Sequence, residues 1–103
     1  MFNMYNSYSQ DNNYSPAIDD TKVIDFDTLQ KARQDLIGEI QAVIEYDNHI
    51  YSTRDELARE TWRGIRNEEL VHIGELLGLL EYLAPYQKYY IDKGVEEFNM
   101  MRK

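Results

Sequence analysis

Apolar residues recur every three or four positions between Leu29 and Tyr51, a spacing that places them on one face of a helix. The segment Asp27-Thr28-Leu29-Gln30 fits a capping box in which Asp27 is the N-cap and Gln30 reaches back to it. The pattern predicts a first helix that begins after Asp27 and ends near Tyr51. Its other apolar members are Ala32, Leu36, Ile37, Ile40, Val43, Ile44 and Ile50.

A second series with the same period follows a short polar segment. A capping box from Thr53 to Glu56 predicts the start of a second helix, and Pro85 ends it because proline lacks a backbone N–H and clashes with the preceding turn. The short link favours an antiparallel two-helix hairpin, and we expect a short third helix after Pro85, interrupted or capped near Gly94. The fold class is all-α. The second series contains Leu57, Trp62, Ile65, Leu70, Ile73, Leu76, Leu77, Leu80 and Leu83.

The first residues of the chain have a different composition from the rest. Asn, Ser and Tyr dominate, and almost no aliphatic residue is present, so this segment cannot bury enough apolar surface to offset its ordering entropy. We predict a disordered tail over residues 1–24 and one helical domain over residues 25–103. An alternative is that the spaced tyrosines Tyr5, Tyr8 and Tyr14 form a partner-binding strip.

A two-helix hairpin is too thin to close a hydrophobic core, because each helix covers only one side of its neighbour. We therefore expect self-association into a four-helix bundle. Gly38, Gly74 and Gly78 lie inside the predicted helices, where glycine costs roughly 1 kcal/mol relative to alanine. A close approach between helices would compensate for this cost.

Two carboxylates and one imidazole interrupt the apolar stripes that the two helices turn toward each other. Glu39 lies on the first stripe, and Glu69 and His72 lie three residues apart on the second. Side chains three apart on a helix point the same way and can reach a common ion. The first stripe contains Leu36, Glu39, Val43, Tyr46 and Ile50, and the second contains Trp62, Ile65, Glu69, His72, Ile73, Leu76 and Leu80.

A cation would resolve the cost of placing these carboxylates in an apolar seam. Burying an ionised carboxylate costs several kcal/mol unless it is paired, and no Lys or Arg lies on either stripe. The chain has no cysteine, so oxygen and nitrogen ligands favour Fe(II), Mn(II) or Zn(II) over copper(I) or an iron–sulfur cluster. We therefore interpret Glu39, Glu69 and His72 as metal ligands.

One chain supplies only half of a dinuclear ligand set. The dinuclear carboxylate site of a four-helix bundle takes a glutamate from each of two helices and a Glu-x-x-His pair from each of two others. A second hairpin related by a twofold axis would supply the missing half. Four carboxylates and two divalent cations then balance in charge, so we expect dimerisation and metal binding to be coupled.

These motifs resemble the encapsulated ferritin family, a compact relative of ferritins and rubrerythrins. The resemblance rests on the spacing of Glu39, Glu69 and His72, on Tyr46 seven residues after the first glutamate, and on the run Ile65-Arg66-Asn67-Glu68-Glu69-Leu70-Val71-His72, and it covers about residues 29–83. It implies a hairpin that dimerises into a ferritin-like four-helix bundle, dimers joined into a ring, and a ferroxidase di-iron centre between subunits. It carries the metal ligands onto Glu39, Glu69 and His72, and a site-side, second-shell tyrosine onto Tyr46.

The chain departs from that family in two places. The family often has carboxylates for ion delivery beside the first ligand, where this chain has Gly38 and Gln41; Asp35, Glu45 and Glu68 are possible substitutes. Members packaged into encapsulin shells usually carry a C-terminal docking peptide of small and apolar residues. Residues 95–103 do not resemble one, so the sequence does not support an encapsulin shell as a partner.

Composition excludes several other functions. The formal net charge of −8 opposes binding to nucleic acid and to anionic membranes, and no apolar run is long enough to span a membrane. The start of the chain lacks the features of a secretion signal, so we expect a cytoplasmic protein. Neither a nucleophile beside a histidine base nor a glycine-rich phosphate loop is present, which argues against hydrolases and nucleotide-binding proteins.

Both histidines have simpler interpretations. His72 could be a hydrogen-bonded core residue, but its combination with Glu39 and Glu69 favours a ligand. His49 is close to the end of the first helix, where a surface residue or a cation at the negative helix terminus is favoured over an accessory metal ligand. Trp62 is expected in the core, and Tyr46 is expected to donate a hydrogen bond to a ligand carboxylate.

The leading functional hypothesis is a ferroxidase that oxidises Fe(II) to Fe(III) for iron storage or detoxification, with dioxygen or peroxide as the electron acceptor. Mn and Zn are possible substitutes for iron in the site. The alternative is a non-catalytic helical assembly module whose tail binds a partner. A third hypothesis, peroxide reduction as in rubrerythrins, is weakened because the chain lacks the cysteines of a rubredoxin-type electron donor.

Overall fold

The computed structural model describes residues 19–102, which form three helices. Helix α1 spans Phe26–Ser52, α2 spans Glu56–Leu83 and α3 spans Pro85–Met101. No strand occurs between residues 19 and 102. The all-α prediction is therefore confirmed.

Asp25, and not Asp27, is the N-cap of α1. The backbone of Asp25 is extended, and its carboxylate accepts hydrogen bonds from the Asp27 N–H at 3.2 Å and the Thr28 hydroxyl at 2.7 Å. Gln30 does not reach back, because its side-chain oxygen accepts a hydrogen bond from Arg33 at 2.8 Å. The prediction of Asp27 was wrong because two aspartates offer the same chemistry here, and only the backbone geometry distinguishes them.

Asp55, and not Thr53, caps α2. The Asp55 carboxylate accepts a hydrogen bond from the Ala58 N–H at 2.9 Å. Thr53 instead ends α1, since its N–H donates to the carbonyl of His49 at 3.2 Å. The predicted capping box between Thr53 and Glu56 was wrong because the threonine is already used by the preceding helix. The link between α1 and α2 is short, as predicted.

The first two helices pack as an antiparallel hairpin. The core joins the start of α1 to the end of α2, and Ile50 is buried at the opposite end of the seam. The predicted stripes face inward: every member of the first stripe is buried or half-buried, and so is every member of the second except His72. The buried core residues are Leu29, Ala32, Leu80, Leu83 and Ala84.

The third helix leaves the hairpin in a direction fixed by side-chain hydrogen bonds. Arg33 of α1 donates to the Gln87 side chain at 2.6 Å and to the Tyr86 hydroxyl at 3.2 Å, and Gln87 donates to the carbonyl of Leu80 at 3.3 Å. The prediction of an interruption or cap near Gly94 was wrong, because α3 runs without a break through Gly94 and has 17 residues in all. A single glycine costs only about 1 kcal/mol within a helix. No residue of α3 is buried.

The segment before α1 contacts the hairpin. The Ile24 N–H donates to the carbonyl of Leu83 at 3.0 Å, and Val23 packs against the core. Residues 1–18 and residue 103 lie outside the described part of the chain. The disordered tail over residues 1–24 and the domain boundary therefore stay predictions.

Large apolar side chains remain on the surface of all three helices. A Cβ atom built on Gly38, Gly74 or Gly78 would meet no atom within 4 Å, so the expected close approach at these glycines is not found within one chain. An approach between copies, and the dimeric four-helix bundle, stay predictions.

Within residues 19–102, no helix is long and apolar enough to cross a membrane.

Candidate metal centre

The structure brings Glu39, Glu69 and His72 together across the hairpin. Glu39 projects from the middle of α1, and Glu69 and His72 project from the facing part of α2. One ligand atom from each side chain lies within 4.8 Å of the others. Between residues 19 and 102, this is the one group of three or more acidic or histidine side chains whose ligand atoms lie so close.

The imidazole of His72 lies between the two carboxylates. Its Nδ1 atom is 3.0 Å from Oε1 of Glu69 and 3.4 Å from Oε1 of Glu39. The Glu69 contact follows from helical spacing, since residues three apart are neighbours on one face. The Glu39 contact crosses from one helix to the other, and therefore depends on the register of the hairpin.

The three groups shift one another's pKa values. The hydrogen bond to the Glu69 carboxyl raises the pKa of Glu39, because two adjacent carboxylates resist double ionisation. The hydrogen bond from Glu39 stabilises the ionised form of Glu69 and therefore lowers the pKa of Glu69. Hydrogen bonds to Glu69 and then Glu39 raise the pKa of His72. The pKa values of the three side chains therefore depend on one another.

The cluster is less buried than the apolar stripes suggest. In one hairpin the Glu39 and Glu69 side chains are 26% and 19% exposed, and the His72 side chain is 49% exposed. No polar or charged residue in the described chain is fully buried. Desolvation within one chain is therefore smaller than we expected, because the second side of the seam is open.

No lysine or arginine of the described residues pairs with the two carboxylates. Among residues 19–102, the ion pairs of Glu39 and Glu69 involve His72 alone. The nearest arginine along α2, Arg66, pairs with Asp47 at 2.7 Å instead. The sequence-based expectation that no Lys or Arg serves this cluster is confirmed for the described residues.

Tyr46 and His49 form an aromatic group farther along the seam. The His49 ring lies 4.8 Å from Trp62 and 5.9 Å from Tyr46, in edge-to-face geometry with both, and all three residues are half-buried. His49 thus packs in the seam and belongs to no metal-binding group found in residues 19–102. No hydrogen bond joins the Tyr46 hydroxyl to Glu39 or Glu69 of the same chain, so its second-shell role stays a prediction.

An acidic groove leads to the cluster from the open side of the hairpin. The groove has a volume of about 280 Å³, and Asp35, Glu39, His72, Glu75, Leu76 and Leu79 line it. Of the suggested substitutes for ion delivery, Asp35 lines this groove, whereas Glu45 and Glu68 do not. Glu75 also lines the groove, although it was not among the site residues predicted from the sequence. Its position three residues after His72 was the signal that places it beside the cluster.

The cluster has the chemistry of a divalent cation site. It presents carboxylate oxygens and one imidazole nitrogen without sulfur, a donor set suited to Fe(II), Mn(II) or Zn(II). One chain offers three ligating side chains and leaves the remaining coordination positions open toward the groove. A divalent cation there would offset the negative charge of the two carboxylates.

Comparisons with protein-family models, curated proteins and solved structures find no match to this chain. The resemblance to encapsulated ferritins therefore stays a prediction carried by Glu39, Glu69, His72 and Tyr46.

Proposed function

We propose that the protein is a ferroxidase whose di-iron site is completed by a second copy of the chain. Each copy contributes Glu39, Glu69 and His72. Two Fe(II) ions are the substrate, dioxygen or peroxide is the electron acceptor, and Fe(III) leaves as a mineral precursor. The cellular role that follows is iron storage or detoxification.

The convergence of these three side chains from two helices carries the proposal. Their ligand atoms lie within 4.8 Å of one another, although Glu39 is about thirty residues from the other two. Exposed acidic groups are common on protein surfaces, but this pair of carboxylates shares one imidazole and has no lysine or arginine partner among the described residues. A divalent cation relieves the repulsion that raises the pKa of Glu39.

The open side of the hairpin supports a site shared between copies. His72 is half exposed, and the groove beside it is lined by Leu76 and Leu79 as well as by acidic residues. Twofold pairing on this side would supply the second Glu and Glu-x-x-His set that a dinuclear bundle site needs. It would also cover apolar surface that a lone hairpin leaves in water.

The reaction balances without any further redox group in the chain. Two Fe(II) ions each give up one electron, and one dioxygen takes both together with two protons to form hydrogen peroxide. Hydrogen peroxide can take two further electrons from a second pair of Fe(II) ions, together with two more protons, to form two water molecules. The protein's task is to hold two ions together and supply negative charge, since oxygen ligands favour the ferric state.

One structural observation also supports the alternative, a non-catalytic assembly module. Apolar side chains remain exposed on all three helices, as in a protein that functions by packing against other chains. In that case the Glu39, Glu69 and His72 cluster fixes the register of the bundle and turns over no substrate.

Aerobic addition of Fe(II) separates the two functions. The ferroxidase proposal predicts ferric absorbance that rises faster than in protein-free buffer, and loss of this rate in Glu69→Ala and in His72→Ala. Glu60→Ala is the matched control, because it removes an exposed carboxylate of α2 nine residues before Glu69, on the opposite face of the helix. Wild-type oxidation at the buffer rate, or full turnover in both ligand variants, overturns the proposal.

Light scattering with and without metal tests the shared site. We expect Co(II), which resists oxidation, to increase the dimer population, and the His72→Ala variant to lose this response. Metal binding to a strictly monomeric protein would contradict a site shared between two copies.

A further inference from the structure

Two apolar surfaces of the described chain have no cover, and neither belongs to the groove beside the metal centre. The hairpin outer face consists of Ile37, Ile40, Ile44, Leu70 and Leu77, which are 41–56% exposed. The α3 face consists of Ile91, Val95, Phe98 and Met101, which are 49–77% exposed. On each helix the members are three, four or seven residues apart, so they lie along one side of that helix.

The hairpin outer face lies on the opposite side of the seam from the metal centre. With 100° between successive residues, Ile40 and Ile44 lie on the flank of α1 that turns away from Asp35. The bridge between Asp47 and Arg66 crosses the seam on this same flank. A second copy that completes the metal centre therefore leaves the hairpin outer face uncovered.

The α3 face does not cover the hairpin outer face of its own chain. Arg33, Gln87 and Tyr86 hold the first turn of α3 at the end of the hairpin, and no residue of α3 is buried. The helix therefore projects as a fixed arm with its ridge in solvent. The Arg102 guanidinium lies 6.0 Å from the Phe98 ring centroid, but Phe98 is still 56% exposed.

We propose that the α3 face of one copy docks on the hairpin outer face of a second copy. The occupant is a second chain because the two surfaces match in length and chemistry. The α3 face runs about 15 Å from Ile91 to Met101. The hairpin outer face also runs about 15 Å, because Leu77 of α2 lies about level with Gln34 when Glu39 faces His72, and Ile44 marks the other end. The shallow groove between α1 and α2 there accepts a third helix by ridge-into-groove packing.

The area is sufficient for a stable pair if the exchange is reciprocal. Nine large side chains, each about half exposed, present on the order of 800 Å² of apolar surface in one contact, and two symmetry-related contacts present on the order of 1,600 Å². Specific protein interfaces bury about 1,200–2,000 Å². Docking in both directions therefore reaches the usual size, whereas a single contact falls below it.

A negative charge introduced on each apolar face tests the docking in metal-free protein with chelator present. Phe98→Asp on α3 and Ile44→Asp on α1 should each weaken association about tenfold or more in sedimentation equilibrium. Asn99→Asp is the matched control, because it adds the same charge on the polar flank of α3 and should leave association unchanged. All three positions are exposed in one chain, and circular dichroism checks that each variant keeps its helices. Equal association in the wild type and both face variants overturns the proposal.

Crosslinking identifies which surfaces meet, and the absence of native cysteine makes the background clean. Under mild oxidation, a mixture of Phe98→Cys and Ile44→Cys proteins should give a disulfide-linked heterodimer. A mixture of Phe98→Cys and Gln34→Cys proteins is the control, since Gln34 is on the solvent side of α1. Disulfides that form only between two Phe98→Cys molecules would show that α3 pairs with α3. Equal heterodimer yields in both mixtures would show random collision. Either result overturns the proposal.

This docking does not depend on the ferroxidase proposal. Glu69→Ala removes a metal ligand and should leave the crosslink between Phe98→Cys and Ile44→Cys intact. Phe98→Asp should lose the docking and still bind Co(II) in its spectroscopic titration. A failure of the docking proposal can therefore be distinguished from a failure of the ferroxidase proposal.

Discussion

Arg66 of α2 donates a hydrogen bond to the Asp47 carboxylate of α1 at 2.7 Å, and this ion pair bridges the two helices one turn from Glu69. Arg66 is 18% exposed and Asp47 is 38% exposed. The bond to Asp47, followed by a hydrogen bond to Tyr51, raises the pKa of Arg66 above its usual range. Together with the apolar stripes, the bridge holds the register that brings Glu39 opposite His72.

Loss of the bridge should weaken metal binding as well as stability. Asp47→Asn removes the charge and should lower the melting temperature by a few degrees and reduce Co(II) affinity several-fold, because Glu39 is held less firmly against α2. Glu60→Gln is the control, since it breaks an exposed pair with Arg63 within α2 and should change stability by less than about 0.5 kcal/mol. Equal effects of the two substitutions on Co(II) affinity would contradict a role of the bridge in positioning the site.

Metal affinity should rise with pH through the titration of His72. Glu69 and Glu39 raise the pKa of His72 above 6.5, so in the metal-free protein its ion pairs stabilise the fold fully below pH 6.5. That stabilisation is lost as the pH rises through the folded pKa. Metal must displace this proton, so the Co(II) association constant should increase by about tenfold per pH unit at most and then level off.

Isothermal titration at several pH values, from below 6.5 to well above it, measures this dependence. Calorimetry in buffers of different ionisation enthalpy counts the protons released. His72→Ala should bind Co(II) weakly and lose the dependence in this range. A pH-independent affinity in the wild type would mean that His72 is not a ligand.

The sequence was sufficient to predict the two long helices and the three side chains of the candidate site. The period of three and four residues marked both long helices, and the polar interruptions at Glu39, Glu69 and His72 marked a group that the hairpin does bring together. This succeeded because an antiparallel hairpin has one degree of freedom, its register, and the apolar stripes determine it.

The helix caps and the depth of the site were beyond sequence reasoning. Asp25 and Asp27 are chemically equivalent, and only the backbone angles select Asp25 as the cap. The exposure of His72 depends on what covers the open side of the hairpin, which no periodicity within one chain describes. The packing of His49 against Trp62 depends on the same register and on the rotamers of both rings.

The cap assignment at α2 gives a direct stability test. Asp55→Ala removes the acceptor of the Ala58 N–H and should cost about 1 kcal/mol, whereas Asp55→Asn keeps an oxygen there and should cost only a few tenths. Urea unfolding at low protein concentration measures both. Thr53→Ser keeps the hydroxyl that accepts from the Asp55 N–H and is the control. A loss in Thr53→Ala as large as that in Asp55→Ala, with Thr53→Ser unchanged, would return the cap to Thr53.

The direction of α3 should depend on Arg33. The guanidinium contacts Gln87 through two nitrogens, at 3.2 and 2.6 Å, and reaches the Tyr86 hydroxyl with one of them. Lysine has a single ammonium group and cannot reproduce this fork. In Arg33→Lys, amide exchange should accelerate in the first turns of α3, while the hairpin core around Leu29 keeps its protection.

Gln30→Ala isolates that effect, because it removes only the contact of Arg33 with its own helix at 2.8 Å and leaves the contacts to α3 in place. If the arm must be held in a fixed direction to dock, Arg33→Lys should also weaken the association of metal-free protein, since each copy then loses conformational entropy on docking. Gln30→Ala should associate like the wild type. Faster exchange in α3 with unchanged association would separate the two effects and show that docking tolerates a mobile arm.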